Sequence, residues 1–382
     1  MTMLDGIRII DLSSVIFGPY ATQMLADMGA DVIKIEPPSG DVSRYIGRSR
    51  NTRGMGSTHM TVNRGKRSVM LDLKKSEDAE KLRKLLKTAD IFVHNIRTKA
   101  IEKLGFSYSN VRAINPNIIY AHFTGFGQDG PYRDLQAYDD VIQAATGCTT
   151  LLPRADGNPR PRYIPSLIAD KVAGLYGAQA LLGGIVHKLR TGEGQHIEVP
   201  MFEAFANFTL EEHLQDATMD PPLGPIGYPR QLDPHRQPFP TADGYISIVP
   251  YTDDKIILLF ELLGEPELLE RAEFSTPLGR FKNIAGLYAQ IERLTKTKTT
   301  AEWMVILTEA EFPAMPVRDL ADILEDPHFI ETNFFRSREH PSEGRFHEMR
   351  PPIRFSADPE RTLGFSPLIG EHNDIVFNEL DM

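Results

Sequence analysis

Between residues 7 and 124 short β-branched runs alternate with helix-length segments, and this alternation constrains the fold more than any other feature of the chain. Ile7 to Leu12, Asp31 to Glu36, Arg67 to Leu73, Asp90 to Val93 and Ile118 to Thr124 read as strands. Pro19 to Met28 reads as a helix between the first two. A second helix opens at Ser76, read as its cap, with Glu77 and Asp78 in the first turn and Lys81, Arg83 and Lys84 in the body, the order a helix dipole favours. Strands separated by helices pair in parallel, so an α/β fold with a mainly parallel sheet is predicted. The segment from Pro37 to about Lys66, rich in Pro, Gly, Ser and Arg, reads as one long loop, and loops of that length are functional or disordered.

At 382 residues the chain exceeds the size at which one core stops growing, so two domains are expected. The later sequence fits that division. An apolar helix over Asp170 to Leu189 leads into a strand at His196 to Pro200, and Asp216 to Pro240 is dense in Pro and Gly, as a connecting segment would be. A strand at Gly244 to Pro250 precedes helices at Thr252 to Leu263, Leu278 to Leu294 and Thr300 to Ala310, the last opened by a capping box of Thr299 and Glu302. The net charge of -10 argues against nucleic acid or an anionic membrane as partner. With Cys148 as its one cysteine the chain forms no internal disulfide, and a cytoplasmic address is expected. The N-terminal residues lack the pattern of a signal peptide, and the longest apolar stretch, near Leu175 to Val186, is too short to span a bilayer.

Several motifs fail on context. Gly125-Phe-Gly-Gln-Asp-Gly130 matches the dinucleotide fingerprint in letters, but Pro131 and Tyr132 follow where a helix must start, so a glycine turn lining some other cleft is the better reading. Gly65-Lys-Arg-Ser68 resembles the end of a phosphate-binding loop with the wrong spacing, and reads as an exposed basic turn. The eleven histidines show no metal-ligand spacing, so no metal is expected. Cys148 reads as a buried small hydrophobe rather than a nucleophile.

Asp170 ends a mostly apolar stretch and opens a helix. It reads first as an N-cap. The same placement suits a nucleophile, because a carboxylate at a helix N-terminus stays ionised beside amides able to stabilise an oxyanion. Gly174 and Ala178 give this helix a thin face that permits close approach of a backbone or a ligand. The residues alone leave both readings open.

A series of motifs across nearly the whole chain resembles the CaiB/BaiF (class III) CoA-transferases. It comprises Leu4-Asp-Gly-Ile-Arg-Ile-Ile-Asp-Leu12, Gly18-Pro19, Leu25 through Glu36 with Gly40-Asp41, and Asn63 through Ser68. Asn95, Arg97, Leu104-Gly105, the Gly125 to Pro131 turn, Thr191 through Gln195 and Thr241 through Gly244 follow in the family's order. The resemblance implies a large Rossmann-like domain over 1–200 with a C-terminal return over 326–382, a linker over 201–225, and a smaller α+β domain over 226–325. It also implies an interlocked, ring-like homodimer. Asp170 falls at the family's catalytic aspartate, with Tyr138 and Asp139 in support. Val15, Ile16, Leu71, Asn95, Ile96, Arg97, Ala100 and Lys103 match positions that line the coenzyme A site.

The implied reaction passes CoA from an acyl-CoA to a small carboxylic acid through an aspartyl-CoA thioester, with CoA as substrate and no permanently bound cofactor. Departures from the family pattern refine this. Thr98-Lys99 replaces the usual Pro-Gly, and Pro37 stands where many relatives carry an Arg near the adenine. Tyr138 replaces the histidine of the family's racemases, and a phenol is a poor base near neutral pH, so transfer ranks above racemisation. Against acyl-CoA binding without turnover stands the intact Asp170 context, by analogy. Ile16 replaces a Gln of the formyl-CoA:oxalate enzymes, and Pro250 to Asp254 lacks their glycine run, so oxalate is not the favoured acceptor. Arg48 and Arg50 are candidates for a second substrate carboxylate.

Overall fold

The computed structural model describes residues 2–358 and 363–380. The chain divides into two compact units, one of Met1–Cys148, Tyr163–Glu211 and Glu331–Met382, the other of Thr149–Arg162 and Glu212–Ile330. In the first, strands β1 (Arg8–Leu12), β2 (Asp31–Glu36), β3 (Arg67–Met70), β4 (Ile91–His94), β5 (Ile119–Thr124) and β6 (His196–Pro200) form one sheet. Their order is β3-β2-β1-β4-β5-β6. Every neighbouring pair is parallel, as the alternation of strand and helix requires.

Helices α1 (Phe17–Asp27), α2 (Ser57–Val62), α3 (Ser76–Lys87), α4 (Thr98–Lys103), α5 (Tyr108–Ile114) and α6 (Asp139–Ala145) follow in the first unit. Helix α7 (Leu151–Asp156) lies in the second, and α8 (Ile168–Thr191) returns to the first. Leu82, Leu85 and Leu86 of α3 and Val111 of α5 pack with Ile10, Ile33 and Phe92 of the sheet in one apolar core. Phe17 of α1 stacks on Phe123 of β5, with ring centroids 4.8 Å apart. Helix α8 lies against α1, and its glycines make that approach possible. A Cβ on Gly174 would sit 3.1 Å from the carbonyl oxygen of Phe17, and one on Gly177 would reach the ring of Phe123. The thin face foreseen on this helix therefore receives protein rather than ligand.

Helix α9 (Met201–His213) occupies the first half of the segment expected to link the domains. The second unit holds a small antiparallel sheet of β7 (Phe239–Pro240), β8 (Tyr245–Ile248) and β9 (Ala314–Pro316). Helices α10 (Asp253–Leu262), α11 (Pro277–Lys282), α12 (Ile284–Thr295) and α13 (Thr300–Glu309) belong with it. Its core centres on Trp303, fully buried, whose indole N–H donates to the carbonyl of Thr295. The Thr299–Glu302 capping box forms as expected, while the helix read over 278–294 breaks at Asn283. After α14 (Pro327–Glu331) come the hairpin β10 (Phe335–His340) and β11 (Gly344–Met349), and then α15 (Asn373–Asn378). Among the described residues no helix is long and apolar enough to cross a membrane.

Two local readings are corrected. Ser76 does not cap α3; it is the first helical residue, and the Asp78 carboxylate instead folds back to accept the Asp72 amide at 2.9 Å. The long loop contains α2 and a 3-10 turn at Val42–Tyr45, opened by Asp41 accepting the Ser43 amide.

A third correction concerns Lys66, read as part of an exposed basic turn. Its ammonium is fully buried, paired with Asp11 at 3.1 Å and donating to Pro19, Thr22 and Asn63. Burial pulls it down to about 8 despite that partner. Asp11 also accepts from Ser13 and Thr22, and although burial opposes ionisation, Lys66 and Lys34 with these donors hold the carboxyl at about 2. Lys34–Asp41 at 2.7 Å and Arg44–Glu36 at 2.6 Å are buried close by. Removing one partner strands the other charge in a medium that solvates it poorly. Lys66→Met is therefore expected to lower stability by about 3–5 kcal/mol in urea denaturation. Lys99→Met, which breaks the exposed pair with Asp134, should lower it by less than about 1 kcal/mol.

Candidate active site

The strand order reverses between β1 and β4, and in open parallel sheets ligands bind in the crevice beyond the carboxyl ends of the strands at such a point. Leu12 and His94 are register partners there. The loops that leave them carry Val15 and Ile16 on one side and Asn95, Ile96 and Arg97 on the other. Asn95 joins the two, its amide oxygen accepting the Ser14 N–H at 3.0 Å and its NH2 donating to the Ser14 carbonyl at 2.9 Å. Val15 sits at φ +70°, a strained position for a β-branched residue. Its N–H donates to Asp41 at 3.0 Å, so the ion pair of Asp41 with Lys34 underlies the first loop. Arg97, Ala100 and Lys103 are exposed at and along α4, while Ile16 and Leu71 are buried.

Asp170 is the third residue of α8, not its cap; Leu167 precedes the helix. No hydrogen-bond donor among the described residues meets its carboxyl group, which is half-buried. Its backbone N–H donates to Asp139 at 3.0 Å, an interaction that fixes the first turn of α8. The expectation that this carboxylate simply stays ionised is corrected. Desolvation, with the neighbouring Asp139 carboxylate adding repulsion, pushes Asp170 up to about 7. Leu167 and Lys171, on either side of Asp170, line a cavity of about 1130 Å³ that also touches Ile16 and Tyr20.

Asp139 is buried at the start of α6, and its second oxygen accepts from Gln143 at 2.7 Å. The carbonyl oxygen of the Gln143 side chain accepts the Ile164 N–H at 2.9 Å, so one fully buried amide ties α6 to the segment ahead of Asp170. Gln143 was missed in the sequence. Its signal was the four-residue spacing from Asp139, which puts both side chains on one helix face. Tyr138, by contrast, is 65% exposed.

The remaining candidates fall at different places. Arg48 is exposed in the long loop. Arg50 donates to the carbonyls of Glu343 and Arg345 and so braces the β10–β11 hairpin. In the Gly125 to Gly130 turn the Gly127 N–H is taken by Glu203 at 3.0 Å and the Gln128 N–H by Glu198 at 2.8 Å. Two carboxylates occupy the donors that a pyrophosphate would need, and no helix starts before Asp139. Cys148 is buried, and burial pushes its thiol up. Gln143→Ala should leave the Ile164 N–H and Asp139 underpaired and lower stability by about 1–3 kcal/mol, read by chemical denaturation.

Known proteins are similar to this chain over nearly its whole length. The family model described as "CoA-transferase family III" matches residues 4–373. A succinate–glutarate CoA-transferase of Agrobacterium fabrum is 32% identical, covering 99% of this chain and 96% of that one. A formyl-CoA:oxalate CoA-transferase of Rhodopseudomonas palustris is 31% identical over 99% of this chain and 93% of its own. The crystal structure of a CaiB/BaiF family protein from Brucella suis superposes with a TM-score of 0.84 at 31% identity, covering all of both chains. With an aspartate at the head of α8, a parallel sheet open at its switch point and a full-length match, the chain belongs to CoA-transferase family III.

Proposed function

We propose that this CoA-transferase moves coenzyme A from an acyl-CoA to a small dicarboxylic acid by way of Asp170. The observation that carries the reading is the Asp170 carboxyl itself, half-buried, without a hydrogen-bond donor and repelled by Asp139. An anion so poorly stabilised gains when it is converted to a neutral acyl derivative.

In the first step the Asp170 carboxylate attacks the thioester carbonyl, forming a mixed anhydride and releasing CoA thiolate. The thiolate then attacks the aspartyl carbonyl, giving an aspartyl-CoA thioester and freeing the donor acid as its carboxylate. The acceptor carboxylate attacks that thioester, again expelling thiolate, and the thiolate takes the acceptor's acyl carbon to regenerate Asp170. No net proton is needed. Val15, Ile16, Leu71, Asn95, Ile96, Ala100 and Lys103 would line the CoA, with Arg97 and Lys103 meeting its phosphates as exposed cations. Arg48, exposed, is the better placed of the two loop arginines for a second substrate carboxylate, since Arg50 is engaged with the hairpin.

The names of the relatives, which include a succinate–glutarate and a succinyl-CoA:mesaconate enzyme, support a dicarboxylate acceptor. Ile16 weighs against oxalate. An interlocked homodimer in the cytoplasm belongs to the same reading. The exposure of Tyr138, and its phenol, weigh against proton abstraction as the chemistry.

Incubation with succinyl-CoA and hydroxylamine should convert Asp170 to its hydroxamate, located by peptide mass spectrometry. Asp170→Ala should abolish both trapping and transfer, and transfer at the wild-type rate in that variant would refute the proposal. The acid limb of kcat/KM should fall near pH 7, because protonated Asp170 is not nucleophilic. Asp139→Asn keeps an oxygen to accept the Asp170 N–H but removes the repelling charge. The acid limb should then move to lower pH, by roughly one unit.

A further inference from the structure

Two histidines lie directly behind the loop that follows β4. His94 ends that strand and His122 is its register partner on β5. Their rings stack, with centroids 4.4 Å apart and planes at 26°. The hydrogen bonds fix how each ring is used. Tyr120 donates its hydroxyl to the Phe106 carbonyl at 2.9 Å, so at 2.7 Å from His94 Nε2 it accepts. His94 therefore carries its proton on Nε2, leaving Nδ1 bare to accept the Ile96 N–H at 3.3 Å. His122 Nε2 lies 3.0 Å from the Ile96 carbonyl oxygen, which only accepts, so that nitrogen bears a proton too.

Both polar groups of the Ile96 peptide are thus held by side chains, at a loop residue with neither a strand nor a helix partner. Burial keeps both rings neutral, His94 well below its usual range and His122 down to about 4. Neutrality matters, because a proton on His94 Nδ1 would oppose the Ile96 N–H. As mere core filling the pair would be a poor choice. Two polar rings cost free energy at this depth unless paired, and Phe92 two residues earlier shows that an apolar ring suits the strand.

We infer that His94 and His122 are positioning residues, a two-sided clamp on the Ile96 peptide that sets the conformation in which the 95–97 loop meets coenzyme A. The inference rests on the CoA reading above for its consequence, and on the geometry of the Ile96 peptide for its substance. The clamp works with the Asn95–Ser14 pairing: one fixes the loop to β4 and β5 from behind, the other to the loop after β1.

The test compares His122→Gln, whose amide can reach the Ile96 carbonyl, with His122→Phe, which keeps an aromatic ring but donates nothing. Three quantities are read: hydrogen exchange of the amides at Ile96 and Arg97, KM for succinyl-CoA, and kcat. In His122→Phe exchange should quicken about tenfold and KM rise about tenfold, with kcat within about twofold of wild type. His122→Gln should restore both. Should His122→Phe fail to fold, His122→Asn, too short to reach the carbonyl, takes its place. Unchanged exchange in the donor-less variant, or equal effects of the Gln and Phe substitutions, would overturn the clamp. If the wild-type protein never engages succinyl-CoA while exchange still separates the two variants, the clamp stands and succinyl-CoA falls as the donor.

Discussion

At the carboxyl ends of β1 and β2, three ion pairs are buried side by side: Lys66 with Asp11, Lys34 with Asp41, and Arg44 with Glu36. A buried charge survives only if its partner and hydrogen-bond donors are in place, so this group dictates the course of the chain around it. Lys66 pulls the end of the long loop against α1 through the Pro19 carbonyl and Thr22. Arg44 brings the same loop to Gly54 and to the C-terminal segment at Pro367. Asp41 holds the Val15 amide, and with it the strained turn between β1 and α1. The rim of the crevice is therefore set by charges that never reach solvent.

Across the crevice the second rim is made differently. The loop after β4 is held by neutral groups, the Asn95 amide in front and the two histidines behind. Arg97 in this loop and Lys103 on the helix after it are exposed cations. Asp170 follows a third rule. Its backbone is anchored through Asp139 and Gln143, while its carboxyl group meets no donor among the described residues. A held backbone with a side chain lacking a donor is the arrangement on which the proposed role of Asp170 rests.

The strand set, the parallel class, the helix that carries Asp170 and the failure of the dinucleotide and phosphate-loop motifs were legible in the residues. Each depends on local pattern, either hydrophobic period or the residue that must follow a glycine turn. The same patterns misled where the deciding contact is distant in sequence. Lys66 looks exposed because nothing near it shows that Asp11, 55 positions away, will bury it. Asp170 looks like a cap because the preceding stretch seems to end before it, yet the helix starts at Ile168, and the Asp170 N–H in its first turn is taken by Asp139, 31 positions away. Gln143 was legible only as half of a spacing, since its partners at Ile164 come from another segment.

By itself the sequence determined the alternation of strand and helix, and therefore the parallel sheet, while the strand order with its switch point came from the tertiary structure. The alternation and the parallel pairing follow from backbone geometry and the burial of one face, which short windows encode. Through its motifs it also carried the family. Tertiary structure alone decided which charges are buried, which side chains hold Ile96, and that the Asp170 carboxyl group lies half-buried with no donor among the described residues. Those outcomes depend on desolvation and on partners tens of residues away, and no local pattern states either.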